Sequence, residues 1–273
     1  MTYREAILLG ESILQKAKIV DAKNDAWLLL AMACRINHTY YYVHMDEEMS
    51  QEQIREYQAL LSKRAERIPL QYIVGEQEFM GLTFSVNEHV LIPRQDTEVL
   101  VEEVMKNLHD GFRILDLCTG SGCILLSLLH YSNDCSGVGA DLSEEALEVA
   151  RKNAEQLGES SALFVQGDLF APVEGKFEII VSNPPYICSD VIPTLMEEVR
   201  EHEPMQALDG LDFYRKIIQG AKEHLCGGGQ LFFEIGYDQG EAVQRLMEQA
   251  GYREVECVQD FAGLDRVVFG TLW

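Results

Sequence analysis

The chain has 273 residues, of which 47% are hydrophobic and 25% are charged, and its net charge is −23. This length allows two domains or one large one, and the composition is that of a soluble globular protein. The negative charge argues against a general affinity for nucleic acid, because that affinity depends on Lys and Arg side chains that bind phosphates. It favours a basic protein partner, or it serves solubility alone.

Residues 1–71 are predicted to form a small domain of helices. Apolar side chains recur there at spacings near 3.6 residues, a pattern typical of helices that bury one face in a bundle. Asn24 or Asp25 is expected to cap the second helix, and Ser50 begins a capping box with Gln53 at the start of the third. We interpret the apolar faces as the core of this domain.

Residues 72–92 are predicted to connect two domains through a short β-hairpin. Polar and apolar residues alternate on both sides of Gly81, which is the pattern of two short strands joined by a tight turn. The second domain then spans 93–273, and we expect Asp96 or Thr97 to cap its first helix.

Beyond Phe112, predicted strands and helices alternate along the chain. Such alternation favours an α/β fold with a doubly wound, mostly parallel sheet that helices cover on both faces. The last two strands are joined by a loop too short for a crossover, so they should pair antiparallel. The predicted strands are 113–117, 137–141, 162–166, 177–182, 229–235, 254–259 and 265–271.

A glycine-rich turn, residues 116–122, follows the first strand of this sheet and leads into a helix. Glycines let the backbone turn tightly and let a ligand approach it, and the helix offers unpaired N–H groups. Asp141 ends the next strand, where an acid in doubly wound sheets bonds the ribose hydroxyls of a nucleoside cofactor. The turn departs from the GxGxxG of nicotinamide sites and lacks the lysine of an ATP P-loop.

The sequence Asn183-Pro184-Pro185-Tyr186 follows the apolar run 177–182. Two prolines end the strand there, and Asn183 is held extended by the proline behind it. A carboxamide on a stiff turn suits the binding of a flat NH2 group, although the same four residues could simply terminate a strand. Gly167-Asp168-Leu169 also follows a predicted strand, so these motifs meet at the strand ends where ligands bind in open α/β sheets.

Taken together, these motifs resemble those of the class I S-adenosylmethionine-dependent methyltransferases. The chain is most similar to the release-factor glutamine methyltransferase family, and the resemblance spans essentially its full length. It rests on the helical N-terminal region and on the residues 93–98, 116–122, Asp141, 183–186, Glu203-Pro204 and Ala207-Leu208.

The resemblance implies a fold, a cofactor and a set of site residues. The fold is a seven-stranded sheet with an antiparallel last strand. A helical substrate-recognition domain and the hairpin connector precede it in the chain. The cofactor is S-adenosylmethionine. The cofactor-binding residues are Asp116, Cys118, Thr119, Gly120, Ser121 and Gly122 in the turn, Asp141 at the ribose, Asp168 and Leu169 at the adenine, and also Leu142 and Asn183. The resemblance assigns catalysis to Asn183, Pro184, Pro185 and Tyr186. It places Arg94 and Glu98 at the border of the substrate channel.

Two positions depart from the family pattern. Cys118 stands where the family usually has glycine, which disfavours a left-handed backbone at this residue. The stretch 208–211 is shorter than the glycine-rich loop that the family usually has there.

The predicted chemistry is methylation of an amide nitrogen. Asn183 Oδ1 and the main-chain carbonyl of Pro184 can accept the two N–H bonds of a substrate NH2 group, while Tyr186 packs against the planar amide. The resemblance implies that the substrate is the glutamine in the Gly-Gly-Gln loop of peptide chain release factors. Three alternatives remain: a ribosomal-protein glutamine, the adenine N6 of nucleic acid, and a catalytically silent nucleoside-binding module.

Other features favour a cytoplasmic protein without a metal or a membrane contact. The seven cysteines are scattered without a CxxC pair, no stretch approaches the roughly 20 apolar residues of a membrane helix, and we see no signal peptide. The run Tyr40–Tyr42 is expected to serve domain packing. Glu197, Glu198 and Glu201 are expected to form a solvated helix face.

Overall fold

The computed structural model describes residues 1–186, 197–204 and 211–273. The expectations for residues 207–208 and for the shortened loop at 208–210 lie outside this part of the chain. The structure divides into two compact units. Residues 1–75 and helix α9 (Glu197–His202) form the helical unit, and the described residues from Glu76 to Tyr186 and from Glu203 onward form the sheet unit. Among the described residues, no helix is long and apolar enough to cross a membrane.

Short helices packed around a common core make up the helical unit. The predicted capping box at Ser50 is confirmed, and Thr2 makes a second one with Glu5. The expected cap of the second helix was wrong, because that helix begins after Asp21. The helices are α1 (Tyr3–Lys16), α2 (Ala22–Cys34), α3 (His38–His44), α4 (Gln51–Ala65) and α5 (Leu70–Val74).

Helices α1 and α4 approach closely at one glycine. A Cβ atom on Gly10 would lie 2.0 Å from the hydroxyl oxygen of Tyr57, so no larger residue fits there without a shift. The fully buried Tyr57 hydroxyl donates to the carbonyl of Ala26 in α2 (3.1 Å). This tyrosine of α4 thus contacts two other helices of the unit.

A buried ion-pair network joins α4 to α9 inside the helical unit. Arg64 Nε donates to Asp25 Oδ2 (2.7 Å), and both side chains are less than a tenth exposed. Arg64 and Arg67 also contact Glu198, at 3.4 and 2.9 Å. The expectation of a solvated acidic face is therefore wrong for Glu198, whose side chain is only 14% exposed.

Replacing Arg64 with leucine is expected to destabilise the helical unit by about 3–5 kcal/mol, because Asp25 would remain buried without a counter-charge. The double variant Arg64→Leu/Asp25→Leu should recover much of this loss. Urea unfolding followed by tryptophan fluorescence in a Trp273→Phe background, where Trp27 alone reports, measures both. An unchanged midpoint for the single variant would contradict the assignment.

The sheet unit confirms the predicted α/β class. Its strands are β3 (Arg113–Leu117), β4 (Ser136–Asp141), β5 (Ala162–Gln166), β6 (Phe177–Ser182), β7 (Leu225–Glu234), β8 (Arg253–Gln259) and β9 (Asp265–Leu272). They lie in the order β5-β4-β3-β6-β7-β9-β8, and β9 runs in the opposite direction to the other strands of this sheet.

Helices pack on both faces of this sheet and enclose two apolar clusters. One cluster contains α6 (Gln95–Asn107), α7 (Cys123–His130) and part of α8 (Glu144–Leu157), and the other contains α10 (Asp212–His224) and α11 (Gly240–Gln249). Helix α6 begins after Arg94, so Asp96 and Thr97 lie in its first turn and neither is its N-cap, contrary to expectation.

The predicted hairpin is present and lies in the sheet unit. Strands β1 (Glu76–Phe79) and β2 (Leu82–Ser85) pair antiparallel. Met80 and Gly81 between them both have positive φ, at 52° and 72°.

The charge is divided unevenly between the two parts of the sequence. Residues 1–75 contain nine Lys and Arg against ten Asp and Glu, whereas residues 76–273 contain 13 against 35. Almost all of the net negative charge therefore belongs to the segment that forms the sheet.

Candidate active site

The site lies at the carboxyl ends of β3, β4 and β6. Strand β3 pairs in parallel with β4 on one side and β6 on the other, so the loops that leave these strands emerge at one edge. The strand order reverses between β3 and β6. Such a switch point is where open α/β sheets bind their ligands.

The glycine-rich turn after β3 has a left-handed backbone at three residues. Gly120 and Gly122 have φ of 54° and 78°, and Cys118 has φ of 61°. The expectation that a cysteine at 118 would avoid this region is wrong. Burial raises the pKa of the Cys118 thiol to about 12, so the thiol stays protonated at neutral pH and is not a nucleophile.

Two carboxylates hold this turn in place. The Thr119 hydroxyl donates to Asp116 Oδ2 (2.6 Å), and the Gly120 N–H donates to Asp141 Oδ2 (2.9 Å). The other oxygen of Asp141 accepts from the Ser143 N–H (3.0 Å). Since each carboxylate oxygen has two lone pairs, the half-buried Asp141 can still accept further hydrogen bonds from a ligand.

Asp116 is fully buried, and burial raises its pKa from the ordinary 3.8 to about 7, against the hydrogen bond from Thr119. Between these pH values the folded chain binds more protons at this residue than the unfolded chain does. The contribution of Asp116 therefore makes the protein less stable as the pH rises from about 4 to 7.

The variant Asp116→Asn should lack this dependence. We expect its free energy of unfolding, relative to that of the unmodified protein, to rise by on the order of 3–4 kcal/mol over this pH range. Urea unfolding at several pH values tests this, with the exposed Asp110→Asn as the matched control. A constant difference between Asp116→Asn and the unmodified protein would contradict the raised pKa.

A cavity opens beside the turn and encloses about 360 Å³ of space continuous with solvent. Nothing lies within 4 Å of the position that a Cβ atom on Gly120 would take. The cavity therefore leaves the glycine face open to a ligand. Its lining residues are Leu91, Pro93, Arg94, Thr97, Cys118, Thr119, Gly120, Ser121, Cys123, Ile124 and Asn183.

The residues expected at the adenine lie outside this cavity. Asp168 is exposed, and Leu169 is half-buried with φ of 49°. Leu142, which follows β4, is 56% exposed, an unusual state for a leucine beside a strand end. An apolar side chain beside Asp141 offers a surface on which a flat ring could lie.

Asn183 lines the cavity at the end of β6. Its Nδ2 lies 3.5 Å from the hydroxyl oxygen of Thr97 in α6, an arrangement that leaves Oδ1 free to accept from a ligand. Ser182, one residue earlier, donates its hydroxyl to the carbonyl of Leu117 (2.8 Å) and so ties the end of β6 to β3. Pro184 is buried and Pro185 half-buried.

Tyr186 is held by two residues that sequence reasoning missed. Its hydroxyl donates to Glu234 Oε1 at the end of β7 (3.0 Å), and its carbonyl accepts from Gln239 Nε2 (3.1 Å). Burial and the neighbouring carboxylate raise the pKa of Tyr186. The sequence did contain one signal for Glu234. It is an acid at the end of an apolar run, as Asp141 is at the end of β4.

Arg94 and Glu98, both expected at a substrate channel, have different surroundings. Arg94 lines the cavity and is paired with the buried carboxylate of Glu203, a residue that supported the family resemblance but had no site role in the prediction. Glu98 is not among the cavity-lining residues, and its Oε1 accepts from the N–H of Met80 in the hairpin turn (2.7 Å). Within the described residues, no cluster of His, Cys, Asp and Glu is arranged to hold a metal ion.

Two family models match the chain. The PrmC N-terminal domain matches residues 5–75, and the methyltransferase small domain matches residues 94–200. Among full-length relatives, the release factor glutamine methyltransferase of Geobacter sulfurreducens is 40% identical over 99% of this chain and 97% of its own length. The protein of the same name from Moorella thermoacetica is 42% identical over 97% of each chain.

Solved structures share the fold at lower sequence identity. A ribosomal protein L11 methylase from Lactobacillus delbrueckii is 19% identical, with a TM-score of 0.51 over 68% of this chain and 82% of its own. A 16S rRNA N2 G1207 methyltransferase from T. thermophilus, solved with AdoMet and guanosine, is 18% identical, with a TM-score of 0.52 over 72% of this chain and 50% of its own. At these identities the likeness concerns the fold.

Proposed function

The chain belongs to the family of release factor glutamine methyltransferases, and we propose that it methylates the side-chain amide nitrogen of the glutamine in the Gly-Gly-Gln motif of peptide chain release factors. S-adenosylmethionine is the proposed methyl donor. The observation that carries the proposal is Asn183 beside the cavity, with its Nδ2 turned to Thr97 and its Oδ1 free to accept.

The proposed cofactor fits the residues around the cavity. The open face of Gly120 and the floor formed by Cys118, Thr119 and Ser121 would hold its methionine part, with Asp116 and Gly122 fixing the turn. Asp141 would bond the ribose, and Leu142, Asp168 and Leu169 would flank the adenine. When bound, the cofactor supplies an electrophilic methyl group on sulfur.

The residues of the chain have to prepare a poor nucleophile. A carboxamide nitrogen shares its lone pair with its carbonyl, so it reacts only when it is held in the right position and geometry. Asn183 Oδ1 and the carbonyl of Pro184 would accept its two N–H bonds and favour a pyramidal nitrogen aimed at the methyl group. Proline stiffness at 184 and 185 keeps these acceptors in place, and positioning of this kind can lower a barrier by several kcal/mol.

Two further residues complete the proposed substrate site. The ring of Tyr186 would pack against the planar amide of the substrate, with its hydroxyl held by Glu234. Arg94, at the cavity and paired with Glu203, would border the substrate channel. Glu98 would contribute indirectly through its bond to the hairpin.

A protein substrate fits the charge better than a nucleic acid does. Residues 76–273 contain 35 acidic residues against 13 basic ones, so this part of the chain would repel a phosphate backbone. This disfavours adenine methylation, although adenine also presents a flat NH2 group. A ribosomal-protein glutamine remains the alternative with the same chemistry.

Incubation with methyl-labelled cofactor tests the proposal. The protein is mixed separately with a release factor, with the same factor carrying Gln→Ala in its Gly-Gly-Gln motif, with ribosomal protein and with DNA. We expect label only on the unmodified release factor, located at the glutamine by mass spectrometry. Label on ribosomal protein or DNA alone would replace the proposal with one of the alternatives.

A further inference from the structure

Asn153 is a fully buried carboxamide in helix α8. Its Oδ1 accepts from the main-chain N–H of Ser85 in β2 (2.7 Å), and its Nδ2 donates to the carbonyl of the same residue (3.1 Å). Nδ2 also donates to the carbonyl of Ser121 in the glycine-rich turn after β3 (2.9 Å). One side chain of α8 thus binds the main chain of both the hairpin and the turn.

The chemistry of these groups allows the Asn153 amide only one orientation. A main-chain N–H can only donate and a carbonyl can only accept, so Oδ1 has to face the N–H of Ser85 and both N–H bonds of the amide are used. The N–H and the carbonyl of one strand residue point to the same side of the strand, so Asn153 takes the place of a neighbouring strand beside β2. No other side chain of this size supplies an acceptor and two donors together.

The two places that Asn153 binds belong to two walls of the cavity. Ser121 lines the cavity itself. The segment 86–94, which follows β2 directly, contributes Leu91, Pro93 and Arg94 to the lining. Buried apolar residues pack this segment into the sheet unit, and they are Val86, Val90 and Ile92. A displacement of Ser85 would therefore be passed on to the lining residues that follow it.

The turn of the hairpin has anchors of its own. The N–H of Met80 donates to Glu98 Oε1 (2.7 Å), and the carbonyl of Met80 accepts from the Tyr131 hydroxyl (2.6 Å). These contacts fix the hairpin to α6 and to the residue after α7. Of these anchors, Asn153 is the one that also reaches the glycine-rich turn.

We propose that Asn153 is a positioning residue that fixes these two walls of the cavity relative to each other. The wall at Ser121 would hold the methionine part of the cofactor, and the wall at 91–94 carries Arg94 of the proposed substrate channel. The identity of the ligand rests on the proposed function, whereas the link between the walls follows from the contacts themselves. The hairpin is then a part of the binding site as well as a connector.

Two variants of Asn153 test the assignment by calorimetry with S-adenosylmethionine. Asn153→Asp keeps the shape and the acceptor for Ser85, but it can offer at most one of the two lost donors. Asn153→Ala removes the whole carboxamide without burying a charge, so it serves if the first variant does not fold. We expect either change to raise the Kd about tenfold, the effect of one lost hydrogen bond at the turn.

Two controls separate positioning from a general loss of stability. Gln156→Ala removes the acceptor of the Ser85 hydroxyl (2.7 Å), a contact between α8 and the hairpin that does not reach the turn. Val243→Ala removes buried volume from the apolar cluster on the other face of the sheet and so lowers stability away from the cavity. Both should leave the Kd nearly unchanged. A Kd of Asn153→Ala equal to that of Val243→Ala would overturn the proposal.

A measurement without any ligand distinguishes this inference from the proposed function. The ¹⁵N shift of an amide responds to hydrogen bonding at the carbonyl it is joined to, so the Gly122 resonance reports on the carbonyl of Ser121. It should move in Asn153→Asp and Asn153→Ala and stay in place in Gln156→Ala. A moved resonance in a protein that does not bind S-adenosylmethionine would reject the proposed cofactor and still support the role of Asn153. An unmoved Gly122 resonance in both Asn153 variants would overturn that role.

Discussion

Replacing Asn183 with alanine is expected to lower methyl-transfer turnover by about 10²–10³-fold and to leave the cofactor Kd nearly unchanged. The loss follows from the removal of one of the two acceptors that hold the substrate nitrogen. Asn183 lies at the cavity through its side-chain tip, and the turn after β3, which is expected to hold the cofactor, is fixed by other residues. Removing the carboxamide of Asn183 should therefore slow methyl transfer and leave cofactor binding nearly unchanged.

Single-turnover kinetics with labelled cofactor and a saturating release factor measure this effect directly, and calorimetry gives the Kd. The control is Asn133→Ala, which removes the same side chain from an exposed position where it contacts Asp110. Turnover in Asn183→Ala equal to that of the control would reject the role of Asn183. A parallel loss of cofactor affinity would instead indicate a damaged pocket.

Replacing Asp141 with alanine should weaken cofactor binding by about 10²–10⁴-fold. Two hydrogen bonds from ribose hydroxyls to a carboxylate, each worth about 1.5–3 kcal/mol, would be lost. The same change frees the N–H groups of Gly120 and Ser143, which Asp141 now holds at 2.9 and 3.0 Å. The loss should therefore include part of the order of the turn.

Asp141→Asn separates these two contributions, because an amide keeps one acceptor oxygen for the turn and lacks the charge. Its Kd should fall between those of the unmodified protein and Asp141→Ala. Glu144→Ala, which removes a nearby carboxylate paired with Arg151, is the control for net charge. Calorimetric affinities that are equal across all four proteins would remove Asp141 from the cofactor site.

Three strands of the parallel part of the sheet could be predicted to the residue. The structure has β3, β5 and β6 at 113–117, 162–166 and 177–182, as expected from the sequence. Turn residues mark the ends of these short apolar runs on both sides, and the strands of a parallel sheet are buried on both faces. Helix starts were harder, because Asp21 and Arg94 cap α2 and α6 without a side-chain hydrogen bond. The short helix α3, rich in tyrosine, has no apolar repeat that would reveal it.

The site could be predicted where its residues follow a strand. The turn after β3, Asp141 and Asn183 were identifiable because each stands directly behind an apolar run. Thr97 and Glu234 were not identified from the sequence, because the contacts that place them beside Asn183 and Tyr186 join residues 86 and 48 positions apart. Glu198 was misread as solvated for the same reason, since its partner Arg67 is 131 positions away.

At position 118 a cysteine has a left-handed backbone conformation, which in most proteins is adopted by glycine. Because a cysteine is disfavoured in this conformation, the turn depends on the contacts that the folded chain makes with it, from Asp116, Ala140 and Asp141. A ligand that recognises the turn must consequently bind the folded chain and ignore the unfolded one. Saturation with such a ligand at 100 times its Kd would raise the free energy of unfolding by about 2.7 kcal/mol, so the folded chain would be more stable when the ligand is abundant.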